Sequence, residues 1–139
     1  HFSDPTQKNK ILIYLNNSLR FILGPILIGI GLGLFFWSHY HLGKNWSPII
    51  ENKFSKSRGL VKTGPYKYIR HPIYTASIIA LIGFGLFSAN WLLFGIPMAI
   101  LLYFYSKKVP KEEQELMRNF GKVYKDYMKS TGKFLPKIR

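Results

Sequence analysis

Cysteine is absent, which excludes disulfides, thiolate metal centres and cysteine nucleophiles. Acidic residues are scarce: 6 Asp and Glu stand against 20 Lys and Arg, giving a formal net charge of +14. A balance so basic belongs either to a nucleic-acid binder or to a membrane protein with positively charged loops. What decides between them is where charge is missing. Residues 21–43 and 72–106 form uncharged runs of 23 and 35 residues. A soluble domain rarely needs such runs, whereas a helix crossing a bilayer needs about 20 apolar residues. Nucleic acid is therefore not the expected partner, and membrane lipids are. The start at His1 is expected of a processed chain or a fragment. A signal peptide is not expected, because the first apolar run lies deep and lacks a small-residue cleavage site.

What is present is 47% hydrophobic and 17% aromatic. Residues 1–17 form a mixed, polar lead-in carrying the apolar patch Ile11–Leu15, suited to the stub of an earlier helix or to an interfacial segment. The remainder, 18–139, is expected to be one membrane domain. Its first span covers about 19–42 and ends in Trp37, Tyr40 and His41, as an interfacial aromatic belt would. Within it, Gly29 and Gly33 place small residues on one helix face, which suits close helix packing. His39 and His41 point to different faces of that helix, so no shared metal is expected.

The 35-residue run is too long for one straight span. Ser88-Ala89-Asn90 near its middle is turn-like, so a tight helical hairpin with arms at about 74–88 and 91–106 is expected, the second arm carrying Pro97. Segment 44–71 holds seven Lys or Arg and one Glu, and 107–139 holds ten against four acids. A hairpin returns to its starting side, so both basic segments share one face, which the positive-inside rule makes cytoplasmic. The tail is expected to open as an amphipathic helix with Pro110 at its first position, Glu112 and Glu113 at its positive end, and an apolar stripe of Leu116, Phe120, Val123, Tyr124 and Tyr127. Gly132 suits a stop. The fold class is thus an all-α integral membrane protein with three transmembrane helices, including a tight hairpin, and a C-terminal amphipathic helix.

Two clusters exceed what insertion requires: 64–74, where the loop 44–73 meets the membrane, and 107–113, where the hairpin leaves it. Alone, Arg70, His71 and Tyr74 suit interfacial anchors, and Glu112 with Glu113 suits a helix start. Together they form Arg70-His71-Pro72-x-Tyr74, preceded by Leu60-Val61-x-x-Gly64-x-Tyr66. Some forty residues later come Glu112-Glu113-x-x-Leu116-x-x-x-Phe120-Gly121-x-x-Tyr124-x-x-Tyr127. This spaced pattern, from about Gly43 to Pro136, resembles the isoprenylcysteine carboxyl methyltransferase family and, more loosely, phospholipid N-methyltransferases.

The resemblance implies an enzyme that transfers a methyl group from S-adenosylmethionine, leaving S-adenosylhomocysteine, to the carboxylate of a lipid-modified, isoprenylcysteine-like acceptor. It places cofactor contacts at Glu51, Arg58, Gly59, Leu60, Val61, Tyr66, His71, Pro72, Ile73, Tyr74 and Glu112, and acceptor recognition at Lys108. His71 is the candidate base if the acceptor is an amine. Two positions depart from the family: histidine is common where Arg58 stands, and arginine where Lys108 stands. Lysine is a point charge and cannot grip a carboxylate as a two-pronged fork. The alternatives are a phospholipid amine N-methyltransferase, a non-catalytic scaffold whose basic loops bind anionic lipid, and, more distantly, a nicotinamide-dependent membrane reductase.

Overall fold

The computed structural model describes residues 5–43 and 59–138. Among the described residues four helices follow one another: α1 (Pro5–Leu42), α2 (Pro72–Ser88), α3 (Trp91–Phe120) and α4 (Lys122–Ser130), with a short 3-10 turn at Gly64–Lys67 ahead of α2. At 1.5 Å per residue, α1 with its 38 residues is about 57 Å long and α2 with its 17 residues about 25 Å. The lead-in is not separate, since the apolar patch Ile11–Leu15 continues into the same helix.

Along most of their length α1 and α3 expose the residues a soluble protein would bury: Ile26, Ile30, Phe36, Ile96, Ile100 and Phe104 are each at least half exposed. Helical hydrogen bonding satisfies most backbone polar groups of these segments, apart from the carbonyls one turn before Pro25 and Pro97, which is the condition for lying in lipid. The chain is an integral membrane protein.

Helices α1 and α2 cross where neither has a side chain in the way. Gly24 and Gly31 of α1 and Gly83 of α2 are buried in the crossing. A Cβ on Gly31 would stand 2.8 Å from the Ala76 carbonyl, and one on Gly83 would stand 2.7 Å from the Gly24 carbonyl. Gly31 lies between the two glycines expected to pack, but a Cβ on Gly29 or Gly33 would meet nothing within 4 Å, so the expected face is not the one that packs. The interface uses Gly24 and Gly31, two turns apart on a different face.

The hairpin turn falls at the expected place. Ala89 closes α2 in the left-handed region (φ 49°), its N–H donating to the Gly85 carbonyl at 3.0 Å. The Asn90 side chain then caps α3, accepting from the N–H groups of Leu92 (3.0 Å) and Leu93 (3.2 Å). Pro110 does not begin a helix. It lies inside α3, which runs unbroken from the membrane to Phe120. The tail's stripe is instead divided at Gly121, whose φ of 51° and ψ of −120° suit glycine. Tyr124 and Tyr127 beyond the break are buried, while Val123 is exposed.

Candidate active site

The site forms where α2 begins, α3 emerges from the membrane and the C-terminal tail returns. Pro72 starts α2, so Arg70 and His71 sit on the backbone just before it, with Tyr74 one turn further on. Glu112 and Glu113 project from α3 towards all three.

The Tyr74 hydroxyl donates to Glu112 Oε1 at 2.6 Å. His71 lies between the carboxylates, with Nδ1 3.6 Å from Glu112 Oε2 and Nε2 3.1 Å from Glu113 Oε1. Arg70 Nε donates to that same Glu113 oxygen at 3.0 Å. Lys108, one turn before Glu112, brings Nζ to 3.7 Å of Glu112 Oε1, and the Lys133 Nζ stands 3.9 Å from Glu113 Oε2. Glu112 is only 2% exposed, a degree of burial that a carboxylate tolerates only with such partners.

Aromatic rings wall the cluster. The His71 ring stacks on Tyr74 at 5.6 Å between centroids, and Tyr74 meets Tyr105 at 4.2 Å. The Lys108 ammonium lies over the Tyr74 ring (5.5 Å) and the Phe104 ring (5.4 Å). The carboxylate and these two faces together hold a cation.

The 3-10 turn supplies the far wall. Tyr66 is buried, and its carbonyl accepts from the Tyr127 hydroxyl at 2.6 Å. The end of α1 anchors this turn: His41 Nδ1 and Thr63 Oγ1 are 3.0 Å apart, and a Cβ on Gly64 would collide with the His41 ring. His39 stacks on Phe35 instead. His41 thus has a structural task that its place in an aromatic belt did not reveal.

Burial pushes the hydroxyls of Tyr66, Tyr124 and Tyr127 upward, Tyr127 to about 12, so all three stay protonated at neutral pH. Glu113 goes the other way. Burial raises it, but the hydrogen bonds and charges of His71 and Arg70 outweigh this and hold it at about 2, against an ordinary 4.5. A carboxyl depressed in the folded state contributes stability above its unfolded value, and that stability is lost as pH falls through the folded one. Thermal unfolding in detergent should therefore show a loss on the order of 1–3 kcal/mol between pH 4.5 and 2. Glu113→Gln is expected to flatten that limb, and an unchanged acid limb would remove the ion pair from the stability of the fold.

Of the residues singled out from sequence, Tyr66, His71, Pro72, Tyr74, Lys108 and Glu112 come together, with Ile73 packed against the Tyr74–Tyr105–Val109 core. Leu60 and Val61 are half-buried on the approach to the 3-10 turn, and Gly59 is exposed with φ of 72°. Glu51 and Arg58 lie outside the described residues. Arg70, Glu113 and the segment 131–134 also belong to the cluster and were not singled out as contacts. The fixed spacing of Arg70 to His71 and of Glu113 to Glu112 was the available signal.

Fold and site together define a small all-α membrane protein with a buried histidine–carboxylate–tyrosine cluster at one end of its helical hairpin. The chain belongs to the phospholipid methyltransferase family, whose family model matches residues 19–126. It is 32% identical over 130 residues to protein-S-isoprenylcysteine O-methyltransferase of Saccharomyces cerevisiae, covering 93% of this chain and 54% of that protein. It is 31% identical over 96 residues to the protein of the same name from Schizosaccharomyces pombe, covering 69% and 41%. The chain thus spans about half the length of these curated relatives. The solved structure of the eukaryotic intramembrane Ras methyltransferase, isoprenylcysteine carboxyl methyltransferase, superimposes with a TM-score of 0.71 at 21% identity, over 99% of this chain and 55% of that one. That likeness establishes the fold.

Proposed function

We propose that this chain carries the catalytic part of an S-adenosylmethionine-dependent methyltransferase acting on a lipid-modified carboxylate acceptor at the membrane surface, with loop 44–71 and the tail on the cytoplasmic side. The observation that carries this reading is the convergence of His71, Tyr74 and Glu112, 41 residues apart in sequence at the extremes, into one buried network in a chain of this family.

The donor set suits the cofactor. Tyr74 and Phe104 already present their faces to a cation beside a carboxylate, which is what a sulfonium next to an amino acid and a ribose requires. Glu112 would accept from the amino group or ribose hydroxyls, and Tyr66, His71, Pro72, Ile73 and Tyr74 would shape the surrounding wall, joined by Glu51, Arg58, Gly59, Leu60 and Val61 from the preceding loop. When bound, S-adenosylmethionine supplies an activated methyl group.

The protein's own part is positioning. Lys108, at 15% side-chain exposure, is placed to draw an anionic acceptor towards the cluster. A carboxylate acceptor is ionised at neutral pH and needs no base. Both ring nitrogens of His71 face carboxylates, which fits an orienting role better than proton abstraction. An apolar groove of about 330 Å³, lined by Ile78, Leu102, Tyr105, Val109 and Phe134, adjoins the same tyrosine pair and supports a lipophilic acceptor.

Calorimetric titration of the detergent-purified chain with S-adenosylhomocysteine tests the cofactor, with saturable binding expected. Product chemistry tests the acceptor: base-labile methyl esters are expected, and stable N-methyl products would transfer the assignment to amine headgroups. A folded chain that binds lipid in a salt-dependent way and no cofactor would be the scaffold instead.

A further inference from the structure

The C-terminal tail does not end at α4. Residues 131–134 run beside the backbone that carries Arg70 and His71, forming a parallel bridge between Ile69 and Gly132. The Gly132 N–H donates to the Tyr68 carbonyl (3.1 Å), the Arg70 N–H to the Gly132 carbonyl (2.9 Å) and the His71 N–H to the Lys133 carbonyl (3.1 Å). The Thr75 hydroxyl donates to the Phe134 carbonyl at 2.6 Å, and the Phe134 ring lies 5.9 Å from that of His71. The Arg70 guanidinium joins two helices. It reaches Glu113 on α3 at 3.0 Å, and the carbonyls of Thr131 (2.8 Å) and Met128 (3.4 Å) at the end of α4. Those carbonyls belong to a helix C-terminus, which lacks partners of its own and favours a cation.

We propose that the segment Thr131–Phe134 is a strap that positions His71, and that Arg70 is the positioning residue tying this strap to Glu113. Three backbone bonds fix where the histidine backbone lies, and the guanidinium fixes the carboxylate its ring faces. Arg70 acts through His71 and Glu113 and touches no substrate. The inference rests on reading the cluster as the cofactor site.

The test compares the full chain with Arg70→Ala, Arg70→Lys and Thr75→Val in detergent. Binding of S-adenosylhomocysteine is expected to weaken at least tenfold in Arg70→Ala and severalfold in Thr75→Val, which removes the strap's anchor on the Phe134 carbonyl (2.6 Å) together with the longer bond to the His71 carbonyl (3.3 Å). Arg70→Lys should stay weak, because the donors of an ammonium radiate from one nitrogen and cannot reproduce the fork that turns Nε to Glu113 and Nη1 to the Thr131 and Met128 carbonyls. Added guanidinium ion should restore binding to Arg70→Ala, which a merely destabilised fold would not show. Parental affinity in both Arg70→Ala and Thr75→Val, or full rescue by lysine, overturns the strap. If the parent chain binds no S-adenosylhomocysteine, the functional reading falls separately, and amide exchange decides the strap. Arg70 and His71 amides protected like those of helix interiors, and deprotected in Thr75→Val, support it; exchange at loop rates in the parent overturns it.

Discussion

Glu112→Ala is expected to abolish S-adenosylhomocysteine binding and to destabilise the fold, by about 3–5 kcal/mol if the buried pair behaves as such pairs do. Two causes act together. The carboxylate is the acceptor for the Tyr74 hydroxyl and the counter-charge of Lys108, so its removal leaves a hydroxyl and an ammonium facing an apolar wall. It is also the group that would hold the polar end of the cofactor. A second variant separates the causes. In Glu112→Gln/Lys108→Met no unpaired charge remains, and the glutamine oxygen can still accept from Tyr74. Stability, measured by thermal unfolding in detergent, should largely return while calorimetry still finds no binding. Parental affinity in Glu112→Ala would take this residue out of the cofactor site.

Gly83→Leu is expected to separate α1 from α2. A Cβ there meets the Gly24 carbonyl and the Ile28 nitrogen, each at 2.7 Å. Both are backbone atoms inside a helix and cannot rotate aside. The cost should lie at or beyond the upper end of the ~1–3 kcal/mol typical of overpacking. Because α1 ends in the His41–Thr63 contact that seats the 3-10 turn, cofactor binding should fall along with the melting temperature. Gly29→Ala meets no atom within 4 Å and should leave both unchanged. Equal effects at the two positions would mean that the crossing lies elsewhere on α1.

These two predictions sit on opposite sides of what sequence could reveal. The spans, the hairpin and the meeting of the two polar clusters were legible, because uncharged length and a polar Ser88-Ala89-Asn90 interruption report directly on a bilayer and a turn. Which glycines of α1 face α2 was not. In a helix apolar all round, spacing alone does not say which side is turned towards a neighbour, and so Gly29 and Gly33 drew the attention due to Gly24. Pro110 looked like a helix start because its ring fits a first turn. It lies instead within a helix whose freed carbonyl, at Ser106, falls near the end of the uncharged run. The bridge from Ile69 to Gly132 joins residues far apart through single backbone bonds, with no periodicity to announce it. Residues carrying charge in a recurring pattern could be found from sequence, whereas the backbone that aims them could not.

The difference in helix length has a bearing on where such a protein resides. With about 25 Å of helix, α2 falls short of a ~30 Å hydrocarbon layer. It nevertheless ends in the polar Ser88, with Asn90 capping α3 just beyond, and both draw headgroups towards them. Lipids beside Ile82, Phe84 and Phe87 must shorten to match, while the longer α1 can tilt. Each ångström of misfit costs a fraction of a kcal/mol, and the sum favours membranes built from shorter acyl chains. The length of α2, independent of any residue that would bind a cofactor or an acceptor, thus sets how thick a bilayer the hairpin fits without strain.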